Sequence, residues 1–137
     1  MRYKLIFLMI VSLALGLRCN HFKTDVNVEV KSLCVPVLKG KVNNPVMRIR
    51  IAGNVFSSER KLESITISLR GTNDVNDMKS LRLFYLGSDS LWQNETRYQQ
   101  FGSEQVPKPT VTFSDDLLLD EKDHYFLLTC ELSENAH

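Results

Sequence analysis

Beyond residue 25 the chain alternates between apolar and polar residues with a period of two, and this limits what it can fold into. Val26, Val28 and Val30 alternate with Asn27, Glu29 and Lys31, and Met47, Ile49 and Ile51 alternate with Arg48 and Arg50. Leu62, Ile65, Ile67 and Leu69 alternate with Ser64, Thr66 and Ser68 over most of the next run. A strand sends successive side chains to opposite faces, so each such run buries one face and wets the other. In the run from Leu81 to Leu86 both faces are apolar. Leu81, Leu83 and Tyr85 share one side, and Phe84 and Leu86 lie with Arg82 on the other. A strand contacted on both faces belongs in the middle of a sheet. The last run, Tyr125 to Leu132, is also rich in apolar residues.

Turn chemistry separates these runs. Gly71-Thr72-Asn73-Asp74 closes one, Gly87-Ser88-Asp89-Ser90 the next, and Asp120-Glu121-Lys122-Asp123 precedes the last. Pro36 within Val35-Pro36-Val37-Leu38 argues for an edge position or an irregular link, because proline cannot donate to a ladder. Val75 to Lys79 reads as a polar connector with one short helical turn, and residues 88–98 as loop. Gln99 to Gln105 reads as a short strand around Phe101, and Pro107 and Pro109 punctuate the chain before Val111 and Phe113. About seven short strands with turn signals roughly every 8–15 residues predict an all-β fold, an antiparallel β-sandwich. A closed barrel is the structural alternative.

The first 18 residues read as a signal peptide. Arg2 and Lys4 precede an apolar run from Leu5 to Leu15, and Ala14-Leu15-Gly16 supplies small residues for cleavage. That run is shorter than the roughly 20 residues a spanning helix needs. Cys19 adds lipidation as an alternative, although Arg18 before it departs from the small residue such signals prefer. Export is expected either way, to the periplasm, the exterior or the outer membrane as a lipoprotein, with membrane contact only through a lipid anchor. The mature domain is then residues 26–137. A net charge of +1 with no clustered basic face gives no case for nucleic acid. Of the three cysteines, Cys34 and Cys130 either pair or remain free thiols. No Cys or His spacing suggests a metal site.

Several ordered marks carry a family resemblance. They are Leu69-Arg70-Gly71-Thr72, then Asp77-Met78-Lys79-Ser80-Leu81-Arg82-Leu83-Phe84-Tyr85-Leu86-Gly87, Phe101-Gly102-Ser103, Tyr125-Phe126-Leu127-Leu128-Thr129 and Ser133-Glu134-Asn135-Ala136. Together they resemble the N-terminal domain that precedes the catalytic propeller in Bacteroidetes-type sialidases with BNR (Asp-box) repeats, over roughly residues 26–137. Residue chemistry accounts for these marks as fold determinants: Phe84 and Tyr85 fill two faces of a central strand, and Gly71, Gly87 and Gly102 permit positive φ at turns. The resemblance implies a non-catalytic accessory domain whose partner is the propeller, absent from this chain. The sequence is then expected to be a truncated or fragmentary form of an exported exo-α-sialidase. The tyrosine nucleophile, acid/base aspartate and arginine clamp of that chemistry would lie on the propeller, so no catalytic residue and no cofactor is expected here.

Other candidate sites are weaker. Trp92 and Tyr98, with Arg97 and Asn94 alongside, could form an aromatic platform for host glycans, as in a stand-alone carbohydrate-binding module. The competing reading packs both aromatics against the sandwich edge or the catalytic domain. Asp115, Asp116, Asp120, Glu121 and Asp123 could gather around calcium, but they lack EF-hand spacing and an acidic turn explains them. No metal is expected. Met47-Arg48-Ile49-Arg50-Ile51 is superficially like the entry of a sialidase propeller but lacks its proline, and alternation explains the arginines as a solvated face. Ser88-Asp89-Ser90-Leu91-Trp92 is superficially like an Asp-box with the wrong spacing, and a polar turn ending in a packing tryptophan explains it. His124, at the start of a strand after a charged turn, is expected at the surface.

Overall fold

The computed structural model describes residues 26–53, 58–72, 74–93 and 97–136. The segment 1–18 read as a signal peptide, Cys19 and Asn94 lie outside the described residues. Among those residues the strands are β1 (Val28–Ser32), β2 (Asn44–Ile51), β3 (Arg60–Ser68), β4 (Met78–Gly87), β5 (Gln99–Gln100), β6 (Thr110–Leu119) and β7 (His124–Leu132). A 3-10 turn at Val75–Asp77 supplies the short helical connector, with the Asp74 side chain accepting from the Asn76 N–H. Five strands form one antiparallel sheet in the order β1-β2-β7-β4-β5, and β3 pairs with β6 in a second. The chain is an all-β antiparallel sandwich. Among the described residues no helix is long and apolar enough to cross a membrane.

The core lies between the two sheets. Leu81 and Leu83 of β4, Phe113 of β6 and Phe126 of β7 are fully buried there, with Ile49, Ile51, Ile67, Val111 and Leu128 around them. Alternation put these residues on one face, and the cross-strand register keeps them there: Leu83 faces Leu128, Ile49 faces Phe126 and Ile67 faces Val111. The alternation slips between Leu62 and Ile65 where the β3–β6 ladder is irregular: the step from Leu62 to Ser64 faces the longer step from Leu117 to Ser114. One extra residue on one strand of a pair shifts the faces by one position.

Two-faced β4 sits between β7 and β5, as its apolar residues on both sides require. β7 is central too, flanked by β2 and β4. The two-stranded sheet is too narrow to cover all five strands. β1 is exposed throughout, and Val28 and Val30 remain 49% and 56% exposed although their partners Ile51 and Ile49 are buried. The segment Val35–Leu38 is an irregular link, the second of the two roles that Pro36 allowed.

Local chemistry fixes the turns. Gly71, Gly87 and Gly102 all have positive φ. At Gly102 (φ 71) the requirement is double, because an added Cβ would come within 2.8 Å of the Ser114 carbonyl. Phe101, beside it, is 1% exposed and meets Phe126 edge-on with ring centroids 5.5 Å apart, within the roughly 4.5–7 Å usual for such pairs. The Phe-Gly-Ser turn therefore plants an aromatic in the core and brings two backbones together. Asn44 does comparable work unannounced by the alternation. It is buried, and its side chain bonds the Leu38 N–H and carbonyl and the carbonyls of Lys41 and Cys130.

Candidate functional site

The outer face of the larger sheet, opposite the core, gathers the candidate residues. Arg48 and Arg50 of β2, Tyr125 and Leu127 of β7, and Phe84 and Leu86 of β4 share this face. Cross-strand pairs Arg50–Tyr125, Arg48–Leu127 and Phe84–Leu127 set the register. Phe84, Leu86 and Leu127 are buried in a second, smaller cluster, with Leu33, Trp92, Tyr98 and Tyr125 packed against it.

Trp92 covers Phe84 with ring centroids 5.2 Å apart, and Tyr98 stacks on Trp92 at the same distance. The Tyr98 hydroxyl donates to the Leu91 carbonyl at 2.8 Å, and Arg97 Nη1 donates to Gln93 Oε1 at 2.7 Å. Asp89 accepts from the Leu91 N–H at 3.0 Å, so Ser88-Asp89-Ser90-Leu91-Trp92 is a polar turn that delivers a packing tryptophan. Trp92, Tyr98 and Arg97 come together as one patch. Both aromatics remain half-buried and thus partly open.

Beside this patch a groove of about 280 Å³ is lined by Glu29, Lys31, Arg48, Arg50, Asp123 and Tyr125. Arg50 is held by Glu29 at 3.2 Å and by Asp123 at 2.9 Å. The Arg50 hydrogen bond, then the Gly53 N–H, hold the Asp123 carboxyl below its ordinary pKa. Arg48 donates from Nη1 to the Ser90 carbonyl at 3.1 Å, and its guanidinium carbon lies 6.0 Å from the centre of the Tyr125 ring. Simple alternation missed this. The two arginines are clamped parts of a groove rather than a loosely solvated face, because the loop before Trp92 and the turn before β7 fold back over β2.

His124 is a correction to the surface position expected for it: it is buried. The start of β7 is enclosed by β4 on one side and the Asp120 turn on the other, so even its first residue is covered. The Asp120 N–H donates to His124 Nε2 at 3.1 Å, and Nδ1 lies 2.7 Å from the Tyr85 hydroxyl. Nε2 also lies 3.2 Å from Asp120 Oδ1, so both ring nitrogens are engaged. Desolvation, with a smaller contribution from Asp120, raises the Tyr85 pKa. That opposes formation of a nucleophilic phenolate, so this Tyr–His pair is a structural link between strands.

The remaining expectations divide. Cys34 is exposed and Cys130 buried, and both are free thiols with no bond between them. The strand position of Cys130 in the core separates it from the loop that carries Cys34. The five acidic residues do not share one centre. Asp116 pairs with Lys61 at 2.8 Å, Asp123 with Arg50, and Asp115 accepts from the Gly102 and Asp116 N–H groups. No group of three potential metal ligands gathers among the described residues.

The sequence profile of the family described as the N-terminal domain of BNR-repeat neuraminidase matches residues 25–137, and the chain belongs to that family. No curated protein matches the chain.

Proposed function

We propose that this chain is the non-catalytic accessory domain of an exported neuraminidase and that it docks onto the catalytic propeller. Membership in a family of N-terminal domains makes a catalytic domain the natural neighbour. The observation that carries the docking is an exposed apolar surface on an ordered segment. Val35, Val37, Leu38 and Val42 follow β1 and are between 38% and 56% exposed. Yet the same segment is fastened by the four hydrogen bonds of Asn44 described above. An apolar surface held in one shape and left to water is the mark of an interaction face. Export is part of the same proposal and is supported by the charge and apolar pattern of residues 1–18.

The test is association in trans between the full chain and a BNR-repeat neuraminidase propeller from the same source, followed by sedimentation. A complex is expected, weakened by Leu38→Asp and Val42→Asp. Absence of a complex with the intact chain would overturn the docking. Reading the DNA past the codon for His137 gives a second check, since Arg-Ile-Pro and Asp-box codons there are expected.

The half-open stack of Trp92 and Tyr98 favours a second reading, a carbohydrate-binding module that meets host glycans. Under that reading Trp92→Ala removes binding to sialyllactose. Release of a leaving group from a fluorogenic sialoside by the purified chain would instead make it a hydrolase.

A further inference from the structure

Lys31 and Arg48 face each other directly across the β1–β2 ladder on the outer sheet face. Like charges so placed repel and weaken a strand pair. The next pair along the same two strands, Glu29 and Arg50, is complementary and forms an ion pair. Both carboxylates of the groove, Glu29 and Asp123, are committed to Arg50. Among the described residues neither Lys31 nor Arg48 has a carboxylate within ion-pair distance. One end of the groove is thus neutralised and the other carries two uncompensated positive charges.

The geometry at that end suits an anion. Arg48 is fixed by the Ser90 carbonyl and lies against the Tyr125 ring, so little side-chain freedom is lost on binding. Its contact with Ser90 uses one of five N–H donors, which leaves a planar pair for a bidentate carboxylate. The Tyr125 hydroxyl has no hydrogen-bond partner among the described residues and lines the same groove. We propose that Lys31 and Arg48 bind the carboxylate of an acidic sugar, with the Tyr125 hydroxyl meeting one of its hydroxyl groups. The anion follows from the groove itself, whereas the sugar rests on the neuraminidase-domain reading above.

Calorimetric titration of the full chain with sialyllactose, lactose and inorganic phosphate tests this. Sialyllactose is expected to bind and lactose not to bind. Arg48→Ala and Lys31→Ala should each weaken binding by about tenfold or more, the scale of a charged hydrogen bond, with the far-ultraviolet circular dichroism of the folded domain retained. Arg48→Lys should recover part of the loss, since it restores charge without the bidentate fork. Phosphate binding as tightly as sialyllactose would overturn the sugar assignment. Equal binding of lactose would overturn the carboxylate contact, and no binding at all would overturn the site. Binding that survives Arg48→Ala but is lost in Trp92→Ala would move the site to the aromatic patch and also overturn it. Docking to the propeller is read through Leu38 and Val42, so failure of one proposal leaves the result for the other distinct.

Discussion

The two faces of the five-stranded sheet are built by different means. The inner face is closed by a second sheet, and its side chains interlock as one apolar layer: Leu81, Leu83, Phe126 and Leu128 against Phe113, Ile67 and Val111. Among the described residues the outer face has no second sheet. It is covered piecemeal by loops that lay Trp92 and Tyr98 over Phe84 and clamp Arg48 and Arg50 at their tips. The inner face therefore holds the fold together, while the outer face is partly open and chemically varied. Where polar groups and aromatics remain accessible, a sheet can bind something without giving up its core.

Substitutions that separate the faces should follow this division. Phe113→Ala empties a fully buried site on the inner side and should cost about 3–5 kcal/mol, enough to unfold a small domain, as read by urea denaturation. Asn44→Ala leaves the Cys130 carbonyl and the loop groups unpaired and should cost on the order of 1–3 kcal/mol by the same measurement. Trp92→Ala on the outer side should cost only about 0.5–1.5 kcal/mol beyond its lost area, with a change in near-ultraviolet circular dichroism. A loss as large as that at Phe113 would erase the distinction between the faces.

The smallest effect sharpens the outer clamp. Because Arg50 and the Gly53 N–H lower the Asp123 pKa, this carboxylate contributes stability above its unfolded pKa of about 3.9. That contribution is lost as pH falls through the lower folded value. Wild type should exceed Asp123→Asn in stability at neutral pH, and thermal melts should show the gap closing in acid.

The inner face was legible in the sequence because alternation records which side of a strand is buried. Met47 to Ile51 and Leu81 to Leu86 became strands with the expected side chains inward, whereas Val28 and Val30 of β1 pair as a strand but stay exposed, because the second sheet does not reach them. The glycine turns were legible because positive φ has few tenants. The outer clamp was not, since Arg48 and Arg50 look like any wet strand positions until a distant loop folds over them. His124 was misplaced for the same reason: its burial depends on β4 and the Asp120 turn, which no local pattern specifies. Gly53 gave no signal either, although a Cβ there would overlap the Lys122 carbonyl.

The central place of β7 has a consequence for how the domain is made. Its partners β2 and β4 were synthesised long before it, and neither pairs with the other. The larger sheet therefore waits for its last strand, and most of its ladder joins residues far apart along the chain. Topologies of this kind fold slowly, because closing the long loops costs chain entropy before the contacts are gained. Until β7 emerges, the β1–β2 pair and the β4–β5 pair have no strand between them, so a nascent chain stalled before residue 124 would present open sheet edges to whatever machinery escorts it.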